Sequence, residues 1–304
     1  ALKQPINEGL ARVQVRKQQA TEDFVELFKK HYTNKERLAL NSKMLSVPEV
    51  GQTLPKQAIL AIALNTGNRD NFERLTNPEN AHSIPRDQVQ AVLDRHMDER
   101  DWRFVQDVWD YIDSYWPEIS AQERALTGVN PRKVDTAPQL TPYAFVKGGY
   151  YPIRYDPRLS GAVQDYDHNQ MMENLKGGRF AKAQTRNGHT KERVSSTGKP
   201  LRLDLGIAIA HINDVIYDLE LRQPVQNSWR LLNDPQIDDA LRRKDASADA
   251  EALKLWVQDA ANGARWSGNG WSAAYRHLRA RLSIAKMGFS ITTLVQQPTG
   301  LLLS

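Results

Sequence analysis

The sequence predicts a mainly α chain, a multi-helix assembly with a small extended or β-hairpin arm and a long basic loop. Three observations point there. Apolar residues recur at three-and-four spacing through most of the 304 residues, which is the period of an amphipathic helix. The period fails from Gly128 to Pro157, a stretch crowded with prolines, and residues 158 to 201 then hold little apolar material and many turn formers.

The elements follow in order. From Ile6 to Tyr32, the residues Leu10, Val13, Phe24, Leu27 and Phe28 mark one face of a long helix, and a second helix covers Lys35 to Met44. Pro55 stands at the first helical position before the apolar run Ala58 to Leu64, and Gly67 is expected to close that helix in the left-handed conformation. With no polar face, this helix is expected to be buried. From Pro85 to Leu126 the period is clearest, through Val89, Val92, Leu93, Met97, Trp102, Val105, Val108, Trp109, Ile112 and Trp116, with Pro117 dividing the run in two. Tryptophans at helical spacing read as helix-packing residues in preference to base-stacking platforms.

Between Gly128 and Pro157, two β-type runs, Tyr143 to Val146 and Tyr150 to Ile153, flank Gly148-Gly149 and suggest a hairpin or extended arm. The surrounding prolines exclude a central strand position. Helix resumes from Leu203 to Leu232, with Leu205, Ile209, Ile212, Ile216 and Leu219 on one face. Asp234-Pro235 forms a cap and first-turn pair opening a helix to Arg243, and another helix covers Ala248 to Ala261. Glycine-rich turns from Gly263 to Gly270 lead to a final helix from Trp271. The expected division is an N-terminal helical domain over 1–130, an arm and basic loop over 131–201, and a C-terminal helical domain over 202–304. Because Ser283 to Ser304 grows apolar and stops at Leu301-Leu302-Leu303-Ser304, the chain reads as a fragment, its last helix expected to meet a membrane or protein surface.

Composition narrows the chemistry. An apolar fraction of 40% with 25% charged residues suits a folded chain with much exposed helix surface. The formal charge of +5 permits contact with nucleic acid or anionic lipid, although 36 acidic residues nearly balance 41 basic ones. Without cysteine there is no disulfide, thiolate metal site or cysteine nucleophile. Ala1 to Asn34 lacks the order of a signal peptide, and no run reaches the ~20 apolar residues of a spanning helix.

Candidate chemical groups are few. His211 and Asp214 lie three apart, with Asp204 and Asp218 on the same segment, an acid–histidine grouping that could serve acid–base or metal chemistry. It lacks any two-histidine spacing, and the competing reading is a histidine satisfied at a packing surface. Gly67-Asn68 and Gly177-Gly178 lack the lysine of a phosphate loop, and neither Ser267 nor Ser272 has the glycine pattern of a nucleophile elbow. No catalytic residue, metal site or cofactor is therefore expected within the chain. The loop residues Lys176, Arg179, Lys182, Arg186, Lys191, Arg193 and Lys199, against only Glu173 and Glu192, are the candidate nucleic-acid contacts. Cations on a glycine-punctuated segment neutralise phosphates without reading bases; the alternative is a solvated linker.

Three stretches carry a family resemblance. They are Ala61-Ile62-Ala63-Leu64-Asn65-Thr66-Gly67-Asn68 with Asn71 and Leu75, then Gly148-Gly149-Tyr150-Tyr151-Pro152-Ile153-Arg154-Tyr155-Asp156, then Ala210-His211-Ile212-Asn213-Asp214-Val215-Ile216. Together they resemble a module of large phage and mobile-element polyvalent proteins and of the internal virion (ejection) proteins of short-tailed bacteriophages, such as giant virion-packaged RNA polymerases. The resemblance implies storage in the virion interior, delivery to the host cell envelope or cytoplasm, and a part in genome delivery. Its implied partners are other internal virion proteins, in an oligomer, and DNA. The polymerase motifs, with their paired metal-binding aspartates, do not occur here, so the segment is expected to lie outside any polymerase core. The leading expectation is a non-catalytic structural segment of an ejection protein. The rivals are part of a nucleotidyl transferase or nuclease completed outside this chain, and a host-protein-binding module.

Overall fold

A computed structural model describes residues 3–80, 83–155, 201–243 and 247–262, and over these the chain is mainly helical with small antiparallel hairpins. Helix α1 (Lys3–His31) leads to α2 (Asn34–Ser42), then to a hairpin of β1 (Met44–Val47) and β2 (Gln52–Pro55). Next come α3 (Lys56–Asn65), α4 (Arg69–Leu75), α5 (Val89–His96), α6 (Glu99–Asp113) and α7 (Trp116–Thr127). A second hairpin pairs β3 (Gln139–Leu140) with β4 (Phe145–Val146). Beyond it lie α8 (Gly206–Leu232), α9 (Pro235–Arg243) and α10 (Ser247–Asn262).

Local chemistry sets these boundaries. Thr33 and Glu36 form a reciprocal capping box that starts α2, and Asp98 with Asp101 does the same for α6. The Asp98 cap explains why the periodic run from Pro85 divides into three helices where two are expected. Pro117 does fall in the first turn of α7, as the sequence suggests. Helix α2 stops at Ser42, short of the expected Met44, because Lys43 is already extended and Met44 enters β1.

Two turn expectations are corrected. Gly67 is not a left-handed cap: α3 ends on right-handed Thr66, and the left-handed cap occurs instead at Gly128, φ 75°, after α7. The hairpin of the arm is also displaced. Its partners are Gln139–Leu140 and Phe145–Val146, not the runs on either side of Gly148-Gly149. Residues 150–154 lie outside any strand, and Tyr155 makes an isolated bridge with Leu201. The basic loop residues Lys176 to Lys199, the glycine-rich turns, the helix from Trp271 and the apolar end lie outside the described residues.

Helix α3 is buried all round, from Ala58 to Asn65, and is the centre of the larger core. Phe28 and Tyr32 pack edge-on against Phe104 of α6, with ring centroids 4.8 and 5.2 Å apart. This core runs from Ala20 to Ile216, so it crosses both expected boundaries, at 130 and 201. A smaller core joins Ile6 and Val13 of α1 to Leu221, Val225 and Leu232 of α8 and Val257 of α10. Helices α1 and α8, each about 40 Å long, therefore link the two cores. They touch closely at Gly9, where a Cβ would lie 2.9 Å from the Glu220 carbonyl oxygen. That carbonyl is the one to which Pro224, lacking an N–H, offers no helical hydrogen bond. Arg16 fastens the contact, bonding Glu220 at 2.7 Å and Glu118 of α7 at 2.9 Å. Among the described residues no helix is long and apolar enough to cross a membrane.

Candidate functional site

The three segments that carry the family resemblance meet in space. The first two meet at the end of α3, where the last carbonyls of a helix need partners, and the third reaches the second through Arg154 with Asp214 and Tyr150 with His211. Trp109 Nε1 donates to the Leu64 carbonyl at 3.1 Å, and the Gly67 carbonyl accepts from Ala137 N at 2.8 Å and Gly149 N at 2.9 Å. The indole sits between two glycines. A Cβ on Gly67 would lie 2.4 Å from Trp109 Cζ2, and one on Gly149 2.4 Å from Trp109 Cβ. Glycine is required at both positions because a backbone passes within contact distance of the ring, a reason unrelated to helix termination.

Three buried asparagines complete the knot. Asn65 donates back to the Ala61 carbonyl at 2.8 Å. Asn68 caps α4 by accepting from Asn71 N at 2.9 Å, and Asn71 Nδ2 donates to Asn65 Oδ1 at 3.0 Å and to the Tyr151 carbonyl at 2.8 Å. Gln139 reaches Thr66 Oγ1 at 2.7 Å, tying in the base of β3. Tyr151 is fully buried, and its hydroxyl donates to the Asp204 carbonyl at 2.9 Å. Burial, with the neighbouring Asp204 charge, pushes the Tyr151 phenol well above its ordinary pKa. It is a neutral donor and not a base.

The acid–histidine helix does not assemble a cluster. Asp204 is turned inward, accepting from Gly206 N at 2.7 Å to cap the first turn of α8 and from Arg202 at 3.0 Å. Asp214 lies 3.3 Å from Arg154, and Asp218 lies 3.9 Å from Arg222, which also binds Glu123 of α7. The His211 ring packs 5.4 Å from Tyr150. Each acid faces a different arginine, and no group of three potential metal ligands exists among the described residues. Trp102 and Trp109 are buried, while Trp116 is half-buried with Lys133 Nζ 6.0 Å from its ring centre. A depression open to solvent lies elsewhere, lined by Ser46, Val47, Pro48, Gly51, Gln52 and Thr53.

A second buried polar group escapes a reading by periodicity. Asp101, 1% exposed, accepts from Tyr32 Oη at 2.7 Å and from Lys56 Nζ, which also donates to the His96 carbonyl. Burial and the Asp101 charge hold the Tyr32 hydroxyl far above its usual pKa. The Asp98-x-x-Asp101 spacing of a capping box was the signal available in sequence; nothing local announced the partner Lys56, distant along the chain. The proposed nucleic-acid contacts, Lys176, Arg179, Lys182, Arg186, Lys191, Arg193 and Lys199, lie outside the described residues. Tyr155 bridges Leu201, and Arg202 N donates to the Arg154 carbonyl at 2.8 Å. No family model, no curated protein and no solved structure matches the chain.

Proposed function

We propose that this chain is a non-catalytic structural segment of a phage internal virion or ejection protein that takes part in genome delivery across the host envelope. In this reading it is stored in the virion interior, assembles with other such proteins, and touches DNA through Lys176, Arg179, Lys182, Arg186, Lys191, Arg193 and Lys199. One observation carries the reading: the three stretches that resemble the ejection-protein module touch one another, the first bonded to the second through buried Asn71 and the Tyr151 carbonyl, and the second to the third through Arg154 and Asp214. A shared module is expected to retain the contacts that hold it together. The separate engagement of Asp204, Asp214 and Asp218 by arginines favours a structural role for that helix. A chain without cysteine also refolds without disulfide chemistry after passage through a narrow portal.

Two experiments test it. In intact virions the parent protein should resist added protease and become sensitive after genome release; sensitivity before release would remove the internal-virion assignment. For the DNA part, replacing Lys182, Arg186, Lys191 and Arg193 with Gln should reduce the slope of log affinity against log salt by about 3–4 on duplex DNA. A wild-type chain that binds no DNA at low salt would remove that part alone.

A further inference from the structure

We infer that the β3–β4 hairpin is a membrane-docking wedge whose partner is an anionic lipid surface. It carries three of the large apolar side chains most exposed to solvent, Leu140 at 79%, Phe145 at 65% and Tyr143 at 48%. Leu140 and Phe145 are direct cross-strand partners, so they share one face, and Pro142 and Ala144 between them are exposed as well. From Thr136 to Val146 there is no charged residue.

Three features favour lipid over a protein groove or an added strand. The N–H donors of the turn are satisfied within it, part of what lipid demands: Thr141 N donates to the Ala144 carbonyl at 3.0 Å, and Thr141 Oγ1 accepts from Tyr143 N at 3.3 Å and Ala144 N at 3.0 Å. Pro142 has no N–H, so no donor of the turn from Thr141 to Ala144 is left for a partner strand. The side chains also suit an interface, where aromatic rings settle at headgroup depth beside an aliphatic anchor. Charge agrees with this. Lys147 follows β4 directly, is exposed, and has no acidic partner among the described residues, which places a cation at headgroup level when the tip is immersed. The base is held firmly: Val146 is buried, Lys147 N donates to Gln106 Oε1 at 2.8 Å, and Ala137 N is fixed on the Gly67 carbonyl. A rigid base presents the wedge without an ordering cost on binding.

The inference stands apart from DNA contact and from virion storage. The cysteine-free chain gives a direct probe: Tyr143→Cys in the 304-residue protein, labelled with a polarity-sensitive dye, mixed with vesicles of phosphatidylcholine alone or with 30 mol% phosphatidylglycerol. A blue shift on the anionic vesicles at position 143, absent for the same label at Leu231→Cys, is expected. The unlabelled triple variant Leu140→Ser, Tyr143→Ser, Phe145→Ser should keep the helical circular dichroism of the wild type and partition onto those vesicles at least tenfold less. Equal partitioning of wild type and triple variant, or no shift at 143 on any vesicle, would overturn the inference. So would a shift at 143 that needs no lipid and follows self-association in sedimentation velocity, which would assign the hairpin to a protein interface.

Discussion

At Gly67 one added methyl has nowhere to go, since its carbon would meet Trp109 Cζ2 at 2.4 Å and the Gly149 carbonyl oxygen at 2.7 Å. Neither neighbour is the free end of a flexible chain: the indole is pinned by its bond to Leu64, and the carbonyl belongs to a fixed loop. Gly67→Ala should therefore destabilise the protein by about 3 kcal/mol in urea unfolding, at the upper end of overpacking costs. Acid sensitivity is also set by single residues. The Thr33 amide and hydroxyl, with Arg100, lower the Glu36 carboxyl to about 2. Burial would push Asp107 up, but its bonds to Lys30 and His31 outweigh it and hold the group low. A pKa lower in the folded than in the unfolded state adds stability above the ordinary carboxylate value, and this is lost as pH falls through the folded one. Unfolding free energy should thus decline from pH 5 toward pH 2, and Glu36→Gln should flatten part of that decline in urea titrations at stepped pH. Little of this was legible beforehand. Gly67 announces itself in sequence as a helix stop, because the packing that demands glycine comes from residues 109 and 149, far away along the chain.

Single helices were far more legible. The stripe from Phe24 to Phe28, the apolar run from Ala58 to Leu64 and the cap at Asp234-Pro235 fixed the identity of α1, α3 and α9, since the 3.6-residue period is a local property. Strands fared worse. Two-residue strands such as Gln139–Leu140 have too few positions for alternation to register; β1 alternates, with Leu45 and Val47 inward, but its exposed Met44 masks the stripe in sequence, and β2 does not alternate. Between elements, Lys56 at the start of α3, half-buried, forms an ion pair with buried Asp101 in the first turn of α6. Removing one partner leaves the other charge stranded, so Lys56→Met should cost about 3 kcal/mol. Adding Asp101→Asn should recover part of the loss in a double-mutant cycle; an additive result would mean the pair is not coupled.

Across the whole molecule, α1 and α8 thread two cores, so segments far apart in sequence share one interior. Composition and period indicated a helical chain. They did not indicate that the core would reach from Ala20 to Ile216, because long-range pairing leaves no trace in local spacing. The asparagines and tyrosines around Gly67 and Gly149, with Asp214, are spent on joining distant segments. Native-state hydrogen exchange at Ala137 and Gly149 tests this most directly, because both amides lie in irregular chain and bond only the Gly67 carbonyl. If the segments form one cooperative unit, both amides exchange as slowly as those of α3, with a common denaturant dependence. Exchange at the rate of an open loop, orders of magnitude faster than α3, would contradict it.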